Sequence, residues 1–231
     1  MRLLVVGHGR MGRLVAEHAP ACGFEVAGIL DRATNPGGSG ATAERCAGVE
    51  VAVDFSTPEA TLATAPRLAA LGVSLVVGTT GWQAGEAELR EAVSQSGVGA
   101  VVAPNFALAA NVLEALAEAA GRLMAGAEEY GAFIHEAHHA AKKDAPSGTA
   151  LMLRRALERG GFARAVDVAS TRAGLIPGTH TLGFDGPAET LALVHTVRER
   201  AAFARGALAA ARWVVGKKGW FTMRDVLGMG S

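Results

Sequence analysis

The densest polar segment of the chain runs from Glu136 to Thr149, EAHHAAKKDAPSGT. Two imidazoles, His138 and His139, and two ammonium groups, Lys142 and Lys143, fall within six residues. Asp144 and Pro146-Ser147 resemble a helix start with proline in the first turn. A helix beginning near Ser147-Gly148-Thr149 presents N–H groups with no intrahelical partner. Cations beside such a terminus make a site for a small polyanion such as a dicarboxylate. Lysine can give up its proton where arginine cannot. Only four of the 22 basic residues are lysines, and half of them are here, which favours proton donation at Lys142 or Lys143. The blander alternative is a structural histidine beside a solvated lysine pair, as at Lys217-Lys218 in a glycine-flanked turn.

A second constellation opens the chain. Gly7-His8-Gly9-Arg10-Met11-Gly12 is a G-x-G-x-x-G that follows the apolar run RLLVV and begins a helical pattern. In a dinucleotide site the first glycine makes the tight turn and the second lets the backbone approach the pyrophosphate. The third lets helix and strand pack closely. The helix start then offers free N–H groups and a positive dipole end to the phosphates. Asp31 ends the next strand-like run, where an acidic residue reaches a ribose hydroxyl. Arg32 beside it can accommodate a 2′-phosphate, so the pair points to use of both NAD(H) and NADP(H). Gly78-Thr79-Thr80-Gly81 and Ala103-Pro104-Asn105-Phe106 follow two later strand-like runs. Their small residues and hydroxyls can approach a nicotinamide ribose, and Asn105 can bond its carboxamide. The bland alternatives are a glycine turn in an unrelated α/β protein, a solvated strand end and two plain connectors.

These residues need a scaffold. Apolar runs at 2–6, 24–30, 51–55, 73–77 and 100–103 read as strands, and 10–21, 58–71 and 84–94 read as helices. Such alternation with nearly continuous apolar strands predicts a parallel sheet covered on both faces. After Asn105 the rhythm changes to a long helix at 108–124, a strand at 132–137 and a helix at 149–159. The runs VDVAST, THTLGF and TLALVHTV follow, and the alternation in the last predicts an antiparallel strand with one open face. A final helix at 203–215 is expected to return to the first domain. The expected fold class is α/β. An N-terminal Rossmann-type parallel-sheet domain comprises residues 1–106 and 201–231. An α+β domain comprises residues 107–200.

Composition narrows the function. The 22 basic and 22 acidic residues cancel, so the chain lacks the basic field that nucleic acids or membrane surfaces require. Half the residues are hydrophobic, which excludes disorder. Cys22 and Cys46 form neither a disulfide framework nor a zinc spacing, so no metal is expected and a reducing cytoplasm fits. The apolar start breaks at Gly7, unlike a signal peptide. The longest uncharged stretch, 92–113, contains Ser94, Gln95, Pro104 and Asn111 and does not read as a membrane span.

Together these features resemble the dihydrodipicolinate (4-hydroxy-tetrahydrodipicolinate) reductase family of bacterial lysine and diaminopimelate biosynthesis. The family signature E-x-H-H-x-x-K-x-D-A-P-S-G-T-A matches Glu136 to Ala150. G-x-G-R-M-G at 7–12, V-D-F-S at 53–56, G-T-T-G at 78–81 and A-P-N-F at 103–106 also fit. So do S-x-R-x-G at 170–174, G-x-H at 178–180, F-A-x-G-A at 203–207 and M-R-D-V-L at 223–227. The resemblance implies that His138 and Lys142 handle protons and that His139, Gly148 and Thr149 bind substrate. It implies cofactor contacts at residues 7–12, Asp31, Arg32, Gly78, Thr79, Thr80 and residues 103–106. It further implies a cyclic dicarboxylate substrate, reduction by NADH or NADPH, and a homotetramer, with the domain at 107–200 binding substrate and building the oligomer. The chain departs from the family in a glycine loop one residue shorter than in many members. It also has Ala107 and Ala109 where the family has Ser and Gly, and missing length between Gly40 and Val51. Rivals to this reading are a related amino-acid or imine dehydrogenase and a non-catalytic NAD(P)-binding regulator.

Overall fold

A computed structural model describes residues 1–229 of the chain. The first elements are β1 (Arg2–Val6), α1 (Arg10–His18), β2 (Glu25–Leu30), β3 (Val51–Asp54), α2 (Pro58–Ala70), β4 (Ser74–Val77), α3 (Glu86–Ser96) and β5 (Gly99–Val102). There follow α4 (Leu108–Met124), β6 (Gly131–His138), α5 (Gly148–Arg159), β7 (Val166–Arg172), β8 (Thr179–Asp185) and β9 (Thr190–Thr196). The chain ends with α6 (Ala201–Val214), β10 (Gly219–Phe221) and α7 (Met223–Val226). Contacts divide it into two compact units, residues 1–108 with 200–231, and residues 109–199.

The first unit is a six-stranded sheet in the order β10-β5-β4-β3-β1-β2, and every pairing is parallel. All residues of β3 and β4 are buried, as strands covered on both faces must be. One apolar layer holds Val15, Leu208 and Val214 from the helices α1 and α6. The other holds Leu68 of α2 and Leu89 of α3. α6 lies close because its buried face is mostly alanine, and a Cβ on Gly206 would stand 1.7 Å from the Phe106 carbonyl oxygen. α1 is shorter than its apolar pattern predicts: Pro20 cannot continue the helix and opens a separate short turn. β10 goes beyond the sequence reading. Only Gly219–Phe221 pair with β5, a segment too short to announce itself by alternation.

The second unit is a four-stranded sheet in the order β7-β6-β8-β9. β6 pairs parallel with β7 and antiparallel with β8, and β8 pairs antiparallel with β9. Its core joins Leu113 and Ala117 of α4, Leu153 and Leu157 of α5, and Ile134, Leu182 and Phe184 of the sheet. Gly121 lets α4 approach α5, because a Cβ there would lie 2.6 Å from the Leu157 carbonyl oxygen. Arg159 locks the pair by reaching Glu114 at 2.8 Å and Glu118 at 3.3 Å. On the opposite face the paired row Ala169, His135, Thr181 and Val194 crosses all four strands, and three of the four are exposed. Val194 keeps 61% of its surface exposed.

Candidate active site

In the first unit the strand order reverses around β1, which lies between β3 and β2. A crevice at the carboxyl ends of strands around such a switch point is the ordinary ligand site of an open α/β sheet. A groove of about 700 Å³ lies there, lined by Gly7, His8, Gly9, Arg13, Asp31, Arg32 and the loop that follows β3. Gly7 has φ +91°, a conformation that favours glycine, and a Cβ on it would lie 2.5 Å from the Phe55 carbonyl oxygen. A Cβ on Gly12 would lie 1.9 Å from the Gly7 carbonyl oxygen, so the loop folds back on its helix only with glycine at both places. Around Gly9 there is open space, and this N-cap offers no side chain to the N–H groups that begin α1. A cradle with uncapped donors and room for backbone approach fits a pyrophosphate.

Asp31 begins a tight turn. Its Oδ1 accepts from the N–H of Thr34 (2.9 Å), the Thr34 hydroxyl (2.9 Å) and the N–H of Ala33 (3.0 Å). The Thr34 bonds above all hold the carboxyl below its ordinary range, while Oδ2 takes no part in the turn. The group that can meet a ribose hydroxyl is thus pre-oriented and ionised. Arg32 is exposed on the same groove. Arg13 is also on that wall, its Nε donating to the His8 carbonyl oxygen at 3.3 Å. The sequence reading assigned Arg13 no role, although a second arginine one position after the glycine motif was visible.

A smaller pocket beside it gathers Arg10, Met11, Phe55, Ser56, Gly78, Thr79, Thr80 and Arg200. Asp54 ties its two loops together, accepting from the Ser56 N–H (2.8 Å) and the Thr79 hydroxyl (3.1 Å). Residues 103–106 line neither depression. The Phe106 side chain is buried in the core edge-on to Phe55, so it offers a ligand only backbone. Asn105 turns its Oδ1 to the N–H of Ala107 at 2.9 Å.

The second unit holds a different cluster, and strand register builds it. Glu136 and His138 are two apart on β6 and therefore share a face. Glu136 pairs with Ser170 of β7 and His180 of β8, and His138 pairs with Arg172 of β7. That face meets the start of α5. Ser147 caps the helix, its hydroxyl accepting from the Ala150 N–H at 3.2 Å. Helix formation therefore begins at Gly148, with Pro146 just outside rather than within the first turn. The N–H groups of Gly148 and Thr149 point out of the first turn without intrahelical acceptors.

Glu136 is fully buried and saturated with donors. Arg172 reaches its two oxygens at 2.6 and 2.9 Å, the Ser147 N–H donates at 3.2 Å, and the third partner is Nδ1 of His138. Burial pushes the Glu136 carboxyl up, but bonds from Arg172, Ser170 and His138 prevail and bring it down to about 2. His138 is shifted down, chiefly by burial, with Glu136 opposing and Lys142 and Arg172 assisting. His180 stacks edge-on to His138 at 5.0 Å between centroids, and its Nε2 meets the Ser147 hydroxyl at 2.8 Å. Burial drives His180 down to about 4. Lys142 is held by both oxygens of Asp144, at 2.8 and 2.7 Å. His139 stands half-buried beside this network and gives its carbonyl oxygen to the Lys142 N–H at 3.1 Å. Glu136, His138 and His180 lie close enough to hold a metal ion. A guanidinium already covers both oxygens of Glu136, which does the work of that cation. The arrangement supplies an oriented imidazole, an ammonium paired with an exposed carboxylate, and a helix terminus for anions.

The sequence reading brought His138, His139, Lys142, Gly148 and Thr149 to one end of this unit but gave no part to Glu136, Arg172 or His180. Arg172 and His180 stand far down the chain, and their only signals were the short S-x-R-x-G and G-x-H runs.

A family profile described as "Dihydrodipicolinate reductase, N-terminus" matches residues 1–106, and one described as "Dihydrodipicolinate reductase, C-terminus" matches residues 109–227. The chain is 40% identical to 4-hydroxy-tetrahydrodipicolinate reductase of Stenotrophomonas maltophilia, over 98% of both proteins. It is 35% identical to the protein of that name from Laribacter hongkongensis, over 99% of this chain and 98% of that one. The dipicolinate-bound dihydrodipicolinate reductase of a Paenisporosarcina species has the same fold. The TM-score is 0.83 at 20% identity, over 96% of this chain and 97% of that one. A diaminopimelate dehydrogenase of C. glutamicum is more distant, with a TM-score of 0.54 at 13% identity. No helix among the described residues is long and apolar enough to cross a membrane.

Proposed function

Because the chain belongs to the dihydrodipicolinate reductase family, we propose that it reduces 4-hydroxy-tetrahydrodipicolinate to tetrahydrodipicolinate with NADH or NADPH. Water leaves the 4-hydroxy compound first, and the conjugated product takes up a hydride and a proton. The observation that carries the reading is the saturated Glu136 carboxylate holding His138, with Lys142 and the first N–H groups of α5 alongside.

The residues divide the work. The free N–H groups of Gly148 and Thr149, with His139, hold the substrate carboxylates. Lys142 and His138 supply the positive charge and the proton that the reduced ring demands as negative charge moves to its nitrogen. The dihydronicotinamide, when bound, supplies the hydride. Gly7, His8, Gly9, Arg10, Met11 and Gly12 cradle its pyrophosphate. Asp31 and Arg32 meet the adenosine ribose, and Gly78, Thr79 and Thr80 form the second loop of that site. Residues 103–106 contribute backbone and the Asn105 amide. Residues 1–106 with 201–231 form the nucleotide domain and 107–200 the substrate and assembly domain. The row Ala169, His135, Thr181 and Val194, exposed at three of its four positions, supports pairing with a second copy towards a homotetramer. Two free cysteines and a biosynthetic task suit a cytoplasmic enzyme.

The test is a coupled assay in which dihydrodipicolinate synthase makes the substrate in situ and the loss of reduced nicotinamide absorbance is followed. Losing a general acid costs about 10²–10⁴-fold in rate. Lys142→Met and His138→Gln should each fall in that range in kcat with NADH affinity unchanged. Near-normal turnover in both refutes the role assignment. Absence of turnover in the parent protein refutes the activity.

A further inference from the structure

We propose that Glu136 is the positioning residue of the reaction, fixing His138 so that Nε2 is its working nitrogen, and that Gly178 is glycine in order to leave that nitrogen open. This rests on the reading of His138 as a proton-handling residue.

The first argument is hydrogen-bond inventory. An ionised carboxylate only accepts. Glu136 is ionised across any physiological range, since its carboxyl titrates at about 2. Nδ1 of His138 touches Glu136 Oε2 and must therefore carry the proton. A neutral imidazole with its proton on Nδ1 has a bare Nε2, and the imidazolium carries its exchangeable proton there. Glu136 cannot turn away, because Arg172 grips both oxygens and the Ser147 N–H binds one of them. A buried carboxylate that sets the tautomer and plane of an imidazole is a recurrent device in proton transfer.

The second argument is space. Gly178 immediately precedes β8, and a Cβ on it would lie 2.9 Å from His138 Nε2 and 3.2 Å from Cδ2. A real Cβ does not approach that closely, so the ring would have to swing, and the bond to Glu136 prevents it. The backbone of Gly178 is not in the left-handed region, so conformation does not call for glycine here. What the missing side chain provides is an unobstructed Nε2.

The groups facing His138 are Glu136 on its own strand, Arg172 on β7, His180 on β8 and Lys142 on the following loop. Among these, only Glu136 favours the imidazolium.

The experiment uses the full-length enzyme and the coupled assay, with a melting curve for each variant. Glu136→Gln should lower kcat by at least about tenfold with substrate KM little changed, and move the basic limb of kcat/KM to lower pH. In a His138→Gln background the same substitution should cost nothing further. Gly178→Ala should stay folded, with a lowered melting temperature from the clash, and lose kcat. Should Glu136→Gln fold poorly, Glu136→Gln/Arg172→Met removes both charges and should move the basic limb in the same direction by less, because Arg172 opposes the imidazolium that Glu136 favours. Additive losses in the double variant, an unmoved pH profile, or a parent-like kcat in Gly178→Ala overturns the proposal. Near-normal turnover in His138→Gln overturns the role of His138 as well, which distinguishes the two failures.

Discussion

Arg172→Met tests whether the buried pair behaves as its geometry requires. The Glu136 carboxyl titrates at about 2 in the folded protein against an ordinary 4.5. A depressed carboxyl contributes stability that is fully present above its unfolded value and lost as the pH falls through its folded value. The window is therefore from about 4.5 down to about 2. A shift of that size corresponds to roughly 3 kcal/mol, at about 1.4 kcal/mol per unit. Removing one partner of a buried ion pair independently costs about 3–5 kcal/mol, because the other charge is stranded. Methionine fills part of the alkyl volume and brings no charge. The loss expected at neutral pH is thus roughly 3 kcal/mol, or a fall in melting temperature of roughly 6–12 °C for a chain of this size.

The pH dependence separates this cause from a mere packing defect. Without Arg172, burial dominates and the Glu136–His138 pair takes up a proton more readily. Whether that proton settles on Glu136 or on His138, it relieves the stranded charge. The stability gap to the parent should therefore narrow between neutral pH and about pH 5, measured by urea unfolding at both. Glu136→Gln/Arg172→Met should recover most of the loss, since two neutral side chains of similar volume replace two paired ions. A parent-like stability for Arg172→Met at neutral pH, or a gap of equal size at both pH values, refutes the reasoning.

Other outcomes follow from the first unit. Asp31 with Arg32 leads to NADH and NADPH Michaelis constants within about tenfold, or ~1.4 kcal/mol; a thousandfold preference would contradict that use of the pair. Asp31→Ala should weaken NADH more than NADPH in a fluorescence titration, and equal weakening would show that Oδ2 meets no ribose hydroxyl. Asp54 is buried at the junction of two loops, and Oδ2 has no partner there. Burial raises its carboxyl, against bonds from Ser56, Thr61 and Thr79. A raised folded value means that stability is lost as the pH rises, so Asp54→Asn should melt higher than the parent above neutrality and lose that advantage in acid. A difference independent of pH would contradict the assignment.

The parallel sheet was legible because strands buried on both faces are nearly continuous apolar runs, as 51–53 and 75–77 are. The glycine loop was legible for a similar reason: no other residue fits where Gly7 and Gly12 touch. Element ends were less so. Pro20 cuts α1 short despite apolar residues beyond it, and β10 is recognisable only through its pairing with β5. Lys217, unexplained by sequence, lies 4.3 Å from the centre of the Trp213 ring, four residues back in the last turn of α6.

In the second unit, the lysine bias pointed to the loop after β6 but not to what holds it. Four of the charges around it form two pairs of different kinds. Glu136 with Arg172 is buried, bidentate and permanent, since a guanidinium does not deprotonate in water-accessible pH ranges. Lys142 with Asp144 is more open: the Asp144 side chain keeps 59% of its surface exposed. The first pair can orient an imidazole but cannot move a proton. The second can exchange its carboxylate partner for that of a substrate and release a proton from an ammonium. A count of charges hides this division, because each pair sums to zero. Only the burial of one pair and the exposure of the other separates the group that positions from the group proposed to react.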